Sequence, residues 1–242
     1  MKVISFCLYG NDPLYSIGAI KNAKAIKELL PDWNSMFFCA DNVEESVISD
    51  IKKYDGIVKI MNHNESFTGM FWRFLPISYD NVSIMMSRDC DSRVFERDVF
   101  AIREFEKSHY NYSIIRDHPI GHHYRINGGM WGAKKTDYIK DIDIYVEEFL
   151  KSRFNHIYNT PESKKDSIRN QDQMFLGQII YPNIVSDALI HDEYFRYEPH
   201  CIKLSHDRKS CDFAFIGESM DINDESRDAP LQRLPTKQRY LG

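Results

Sequence analysis

The chain contains 242 residues, of which 43% are hydrophobic, and its formal net charge is −5 at pH 7. The length allows one large α/β domain or two small ones, and the apolar fraction excludes a generally disordered chain. The acidic balance argues against a nucleic-acid partner. The apolar runs are too short for a transmembrane segment, and no signal peptide is apparent. Five cysteines without a Cys-x-x-Cys pair agree with a cytoplasmic location, which we expect.

Strand-like and helix-like patterns alternate through the first part of the chain. Continuous apolar runs predict strands over residues 2–8, 35–40, 57–61 and 82–86. Helical spacing of apolar residues predicts helices over 14–30, 44–54 and 70–75. This alternation predicts a parallel sheet covered by helices on both faces, with functional loops after the strands.

The second part of the chain contains fewer regular patterns. We predict helices over 94–107, 137–153 and 171–180, a short strand over 112–115, and a polar loop over 155–169. Glycines within 127–132 allow a backbone to approach a ligand closely. The remainder is expected to be irregular. We predict one domain over 1–242, divided into a nucleotide-binding half (1–92), a half that completes the site (93–220) and a C-terminal tail (221–242).

Two carboxylates, Asp89 and Asp91, follow the strand predicted over 82–86. Residues two apart in an extended or turning segment project to the same side, so both carboxylates can face one point. The carboxyl end of a strand is also where open α/β sheets bind ligands. Two hard oxygen ligands suit Mg²⁺ or Mn²⁺ bound together with a diphosphate. The alternative interpretation is a solvated turn of charged residues.

Five segments, taken in order, resemble the GT-A glycosyltransferases. The most similar group is a small, single-domain one found in large DNA viruses and in bacterial capsule or surface-glycan loci. The resemblance covers roughly residues 1–220. The matching segments are Val3-Ile-Ser-Phe-Cys-Leu-Tyr-Gly10, Asp89-Cys-Asp-Ser-Arg93, Arg116-Asp-His-Pro119, Gly128-Gly-Met-Trp-Gly132 and His191-Asp-Glu-Tyr194.

The resemblance implies a GT-A fold, which is a Rossmann-like three-layer α/β sandwich. Its central sheet is mostly parallel and has a small antiparallel addition near the active site. The implied enzyme belongs to the hexosyltransferase class and moves a sugar from a UDP- or GDP-sugar to a hydroxyl of a glycan or glycoconjugate. Mn²⁺ or Mg²⁺ is the implied cofactor. Membrane contact is expected only peripherally, through a lipid-linked acceptor.

The resemblance also implies a set of donor-binding residues. The end of the first strand, at Leu8, Tyr9 and Gly10, would cradle the base, although Tyr9 can equally be a core residue. Arg73 is either a phosphate and sugar contact or a surface residue with a buried stem. Two further arginines can contact phosphate or form surface ion pairs, and two residues of the glycine segment would shape the floor of the site. These four are Arg88, Arg93, Gly129 and Trp131.

A histidine commonly completes the metal site in the resembling superfamily. Asp91 is then expected to be the direct metal ligand, and Asp89 to contact ribose or to reach the metal through water. His191 is our first candidate for the histidine because it matches the family pattern. His206 and His200 are the alternatives.

Asp172 and Gln173 open the last predicted helix and are the implied catalytic pair. In an inverting enzyme Asp172 would be the general base for the acceptor hydroxyl. In a retaining enzyme the pair would face the reacting side of the donor. The alternative role for Asp172 is a helix-start acid favoured by the helix dipole.

Three other functions are compatible with parts of this pattern. A HAD-like phosphatase would use Asp89 as its nucleophile, but that motif normally follows the first strand. A nucleotidyltransferase would want a glycine-rich basic loop after the first strand, which this chain lacks. A non-catalytic nucleotide-sugar-binding module would bind the donor without turnover.

Overall fold

A computed structural model describes residues 1–62, 68–158, 170–206 and 215–227. Seven strands form one sheet in the order β3-β2-β1-β4-β6-β5-β7. They are β1 Lys2–Leu8, β2 Asn34–Ala40, β3 Ile57–Met61, β4 Ile84–Ser87, β5 Tyr112–Arg116, β6 Trp131–Lys134 and β7 Ala188–Asp192. β6 runs antiparallel to β4 and β5, and all other neighbours are parallel. The carboxyl ends of β1, β4, β5 and β7 therefore meet at one edge of the sheet.

In the described ranges, six α-helices accompany these strands. They are α1 Pro13–Leu29, α2 Glu45–Lys53, α3 Glu96–Lys107, α4 Ile142–Tyr158, α5 Gln171–Phe175 and α6 Tyr181–Ile184. The Asp12 side chain caps α1 by accepting the Leu14 N–H at 2.9 Å, and Pro13 occupies the first helical turn. This combination is a strong helix start, and it begins α1 directly after the loop that follows β1.

A 3-10 helix over Thr68–Ser78 lies between β3 and β4 and is anchored by aromatic rings. Phe74 packs edge-on against Trp131 at a ring distance of 5.5 Å, and Phe71 packs against Phe175 of α5 at 5.7 Å. These contacts join the 3-10 helix to β6 and to the end of α5. They help to fix Arg73, which is next to Phe74 in the chain, and Asp172, which lies three residues before Phe175 on the same helix.

The structure confirms the predicted α/β fold and corrects several element assignments. β1 and β3 have the predicted bounds, whereas the 3-10 helix is longer than the helix predicted over 70–75. The expectation of irregular structure after residue 180 was wrong, because α6 and β7 lie there. β6 was also missed, since it begins inside the glycine segment.

The last two predicted helices also have different bounds in the structure. α4 extends to Tyr158, into the predicted polar loop, and 159–169 lie outside the described residues. The helix predicted over 171–180 ends as a π-helical turn over Leu176–Ile180. No helix within the described ranges is long and apolar enough to cross a membrane.

Candidate active site

A cavity of about 470 Å³ opens at the carboxyl ends of β1 and β4. β1 lies between β2 and β4, so the chain connections leave this point in opposite directions, which is where open α/β sheets bind ligands. The cavity brings together side chains from the end of β1, the 3-10 helix, the loop after β4 and the start of α5. Among its lining residues are Tyr9, Arg73, Asp89, Asp91, Asp172 and Gln173.

The two acids of the Asp-x-Asp pair both line the cavity but differ in their surroundings. The Asp89 side chain is 44% exposed and forms an ion pair with Arg73. Asp91 is partly buried, and its Oδ2 accepts a hydrogen bond from the Ser219 hydroxyl at 2.9 Å. Burial, followed by the negative charge of Asp89, raises the pKa of Asp91 above its usual range. Two carboxylates held this way form a site that favours a cation.

Arg73 connects Asp89 to Asp172. Its Nη1 pairs with Asp89, and its Nη2 lies 2.7 Å from Asp172 Oδ2. Arg73 and Asp172 are both nearly buried, with side-chain exposures of 7% and 6%. Burial raises the pKa of Asp172, and the positive charge of Arg73 opposes that shift. The result is a row of alternating charges along the cavity wall, from Asp89 through Arg73 to Asp172.

Gly128 and Gly129 leave the space that this row needs. A Cβ on Gly128 would lie 2.1 Å from Arg73 Nη2, and one on Gly129 would lie 2.0 Å from Asp89 Oδ2. Both distances are below van der Waals contact, so neither position accepts a side chain without displacing a charged group. The Gly128 N–H also donates to Gln173 Oε1 at 3.1 Å, which fixes the second residue of the predicted catalytic pair.

The end of β1 forms the other side of the cavity. Leu8 is buried, and Tyr9 and Gly10 follow it along the cavity lining. Burial raises the pKa of the Tyr9 phenol, so the ring remains protonated. Gly10 has a φ of +73°, which favours glycine, and its N–H donates to Asn42 Oδ1 at 3.1 Å. This side of the cavity is thus partly apolar and has a fixed backbone.

Arg88, Arg93 and Trp131 point away from the cavity, contrary to the sequence-based placement. Arg88 forms a bidentate pair with Asp98, with N–O distances of 2.9 and 2.6 Å. Arg93 pairs with Asp224 at 2.8 Å. Trp131 lies on β6 opposite Ser87 and is fully buried in the core. All three lie next to the motifs in the chain, but the local backbone turns their side chains into the protein.

His191 is also inside the protein, on β7. Its Nε2 lies 3.1 Å from Glu104 Oε2 of α3, and burial lowers the pKa of its imidazole. His206 stacks on Phe100 with a ring distance of 4.4 Å, and His200 is exposed. Within the described ranges, no three or more His, Cys, Asp or Glu side chains are grouped to hold a metal. The structure therefore does not bring any of the three candidate histidines to the Asp-x-Asp pair.

The cavity residues nevertheless fit a divalent cation that is shared with a ligand. Mg²⁺ commonly takes only one or two carboxylates from the protein and completes its coordination with phosphates and water. Asp89 and Asp91 supply hard oxygen donors of this kind at the cavity edge. Their mutual repulsion, which contributes to the raised pKa of Asp91, would be relieved by such an ion.

Ser219 is a residue beside this site that the sequence did not indicate. It lies in the segment 215–227, which returns to the first half of the chain and contacts Asp91. The adjacent Met220 N–H donates to the Asp91 carbonyl at 2.8 Å. A single serine in a polar stretch gives no sequence signal, and only the path of the chain brings it to Asp91.

Comparisons with known proteins show the fold. The chain matches no protein-family model, and no curated protein matches it significantly. The glycosyltransferase GlyE of Streptococcus pneumoniae TIGR4 superposes with a TM-score of 0.50 at 12% identity, over 79% of this chain and 46% of GlyE. This chain thus spans about half of that protein. The likeness, together with the strand order, shows that the fold is that of the GT-A glycosyltransferases.

Two other solved structures resemble the chain over a larger share of their own length. The galactosyltransferase LgtC, solved with donor and acceptor sugar analogues, matches at 11% identity with a TM-score of 0.47, over 78% of this chain and 74% of LgtC. Mouse xyloside xylosyltransferase 1 matches at 10% identity with a TM-score of 0.40, over 81% and 87%.

Proposed function

We propose that this protein is a metal-dependent glycosyltransferase of the hexosyltransferase class. It would move a sugar from a UDP- or GDP-sugar to a hydroxyl of a glycan or glycoconjugate. The observation that supports the proposal is the row Asp89–Arg73–Asp172 beside Asp91 in one cavity. This arrangement offers a cation position, a fixed positive charge and a buried acid within a single ligand-sized space.

Each part of the cavity suits one part of a nucleotide-sugar. The partly apolar side at Leu8, Tyr9 and Gly10 suits the base, and the two acids at the other side suit a metal-bound diphosphate. The sugar would then lie toward Arg73 and Asp172. This order follows the cavity from the end of β1 to the start of α5.

Breaking the anomeric bond leaves negative charge on the diphosphate. Asp89 and Asp91 would hold a Mg²⁺ or Mn²⁺ ion, which would supply Lewis-acid stabilisation of that charge. Arg73 adds a second positive charge that is already oriented by two carboxylates, so little reorganisation is needed during the reaction. Gln173, fixed by the Gly128 N–H, borders the same space and can orient the sugar.

Asp172 is the residue that we assign to the reacting centre. In an inverting reaction its carboxylate accepts the proton of the acceptor hydroxyl. In a retaining reaction it faces the donor and stabilises the positive charge that develops at the anomeric carbon. NMR of the product anomer distinguishes these two roles.

The sequence resemblance extends the proposal to the biological setting. We infer a member of the small group from large DNA viruses and bacterial capsule or surface-glycan loci, acting in the cytoplasm. A lipid-linked acceptor would bring it to the membrane surface only peripherally.

A thermal-shift panel of nucleotide-sugars, with and without Mn²⁺, tests the proposal. A ligand that binds only the folded state raises stability by RT ln(1 + [L]/Kd). We expect a shift in Tm with one UDP- or GDP-sugar in the presence of Mn²⁺ and a much smaller shift without it.

Hydrolysis of generic phosphoesters with no response to nucleotide-sugars would favour the phosphatase instead. A response to a nucleoside triphosphate plus a sugar phosphate would favour a nucleotidyltransferase. Donor binding without transfer to any acceptor would indicate a binding module.

A further inference from the structure

The hairpin 219–227 links the C-terminal part of the chain to the Asp-x-Asp segment. Met220 and Ser226 form an antiparallel bridge, and the Arg227 N–H donates to the Ser219 carbonyl at 2.8 Å. The turn contains Asp224, whose φ of +66° lies in the left-handed region. These contacts give the hairpin a defined conformation of its own.

Two basic residues hold this hairpin against the first half of the chain. Lys21 of α1 contacts Asp224 Oδ2 at 2.6 Å and the Ile222 carbonyl at 2.8 Å. Arg93 contacts Asp224 Oδ1 at 2.8 Å and the Asp221 carbonyl at 3.0 Å. Arg93 therefore serves the site indirectly, because it docks the hairpin and does not face the cavity.

The docked hairpin presents Ser219 to Asp91. The Ser219 hydroxyl donates to Asp91 Oδ2 at 2.9 Å, and the Met220 N–H binds the Asp91 backbone carbonyl at 2.8 Å. The adjacent residues Ser219 and Met220 thus fix both the side chain and the main chain of Asp91. Since a carboxylate is planar, holding Oδ2 also sets the direction of Oδ1 about the Cβ–Cγ bond.

We propose that Ser219 is a positioning residue that holds the Asp91 carboxylate in the orientation required for metal binding. The inference rests on the proposed function, because it concerns the same cation position. Without the hydroxyl, repulsion from Asp89 would turn the Asp91 carboxylate away from the shared point. Groups that orient a metal ligand in this way commonly contribute a factor of about 10–100 to metal affinity.

Mn²⁺ binding, measured by electron paramagnetic resonance in the presence of UDP and of GDP, tests this role without relying on turnover. We expect Ser219→Ala to weaken Mn²⁺ affinity by about 10–100-fold. Ser219→Thr should restore most of the affinity because it keeps the hydroxyl. The matched control is Ser226→Ala, which removes another hydroxyl from the same hairpin. The Ser226 hydroxyl donates to Glu218 Oε1 at 2.5 Å and does not contact Asp91. This control should keep an affinity close to that of the wild type.

The possible results separate the two proposals. If the wild type binds Mn²⁺ and Ser219→Ala binds it equally well, the positioning role is wrong while the proposed function stands. An equal loss in Ser226→Ala would attribute the effect to hairpin packing and would also overturn the role of Ser219. If the wild type binds no Mn²⁺ with either nucleotide, both proposals fail. Circular dichroism and the Tm of each variant identify unfolding, and a folded Ser219→Thr variant without affinity would also contradict the inference.

Discussion

Arginine–aspartate pairs have opposite roles in two regions of the molecule. One region is the cavity above β1 and β4, and the other is a layer of buried ion pairs, Arg88–Asp98 and Arg116–Asp192. In the layer, the side chains of Arg88 and Asp98 are each 1% exposed, so their ion pair is closed to solvent and to ligands. Arg116 is likewise fully buried against Asp192 at 2.8 Å. In the cavity, Arg73 divides its charge between Asp172 and Asp89, and Asp89 is 44% exposed. The exposure of the acid therefore separates a closed pair that holds the fold from an open pair that can accept a ligand.

This difference in exposure determines how much stability is lost when one partner of a pair is removed. Breaking a buried ion pair by removing one partner costs about 3–5 kcal/mol, since a charge remains buried without compensation. An open pair loses less because water reaches the acid that is left. Changes in the layer should thus reduce stability, and changes in the cavity should reduce binding or turnover.

The largest effect is expected from Asp91→Ala in the cavity. This change removes the acid that we expect to bind the metal directly, so we expect it to abolish Mn²⁺-dependent nucleotide binding and sugar transfer. Titration calorimetry with UDP or GDP and Mn²⁺, alongside a transfer assay, provides the measurement. The fold should persist, because removing Asp91 relieves its repulsion from Asp89. Full activity in this variant would refute the metal site.

A large loss of stability is expected from Arg88→Met in the ion-pair layer. Asp98 would remain buried without its guanidinium, and the free energy of unfolding should fall by about 3–5 kcal/mol. Urea unfolding followed by circular dichroism measures this change. The double variant Arg88→Met/Asp98→Leu should recover much of the loss. Lys53→Met, which breaks an exposed pair with Asp50, is the control and should remain close to wild type. An equally small loss for Arg88→Met would contradict the assigned role of the layer.

A smaller free-energy change is expected from Asp172→Asn. The amide still accepts from Arg73, so donor binding should persist, while turnover should fall about 100-fold or more because the carboxylate charge is lost. Steady-state kinetics together with donor affinity from calorimetry separate the two effects. Asp137→Asn, at an exposed acid paired with Lys140, serves as the control. An unchanged rate in Asp172→Asn would remove this residue from the chemistry.

The sequence predicts the parallel half of this fold well because its strands are apolar runs separated by helices with amphipathic spacing. β6 and β7 escape prediction because β6 begins inside the glycine segment and β7 follows two short helical segments, and the burial of both strands depends on neighbours distant in the chain. The sequence resemblance, and not periodicity, indicated the antiparallel addition that β6 provides. In the site, the Asp-x-Asp pattern and the resemblance together pointed to Asp89, Asp91, Arg73, Asp172 and Gln173, which the structure brings to one cavity.

Side-chain direction is what the sequence could not provide. Arg88 and Asp89 are adjacent, yet one faces Asp98 inside the protein and the other faces the cavity. His191 matches a family pattern but lies on a fully buried strand, where it contacts Glu104. Ser219 has no motif at all. These outcomes depend on how the loops leave the sheet edge, which a pattern of residue types does not specify.

The smallest expected effect concerns the stability of the unliganded protein as a function of pH. Burial and the neighbouring charge of Asp89 raise the pKa of Asp91 in the folded state. A group with a raised folded pKa contributes stability that is fully present below its unfolded pKa and is lost as the pH rises through the folded value. We therefore expect Asp91→Asn and wild type to have similar Tm values at acidic pH, below the ordinary range of an aspartate. At neutral pH the Asn variant should have the higher Tm.

This difference in Tm tests whether the two carboxylates of the Asp-x-Asp pair repel each other in the unliganded protein, as expected for a site that binds a cation. The groups that influence Asp91 are Asp89, Arg73 and the Ser219 hydroxyl, and all three are unchanged by Asp91→Asn. Thermal unfolding across the pH range, without metal, measures the difference. Addition of Mn²⁺ and UDP or GDP should reverse the order at neutral pH, because only the carboxylate binds the ion. A wild type that is more stable than Asp91→Asn at neutral pH without ligand would mean that Asp91 is a stabilising surface acid, and the cavity would lose its main resemblance to a metal site.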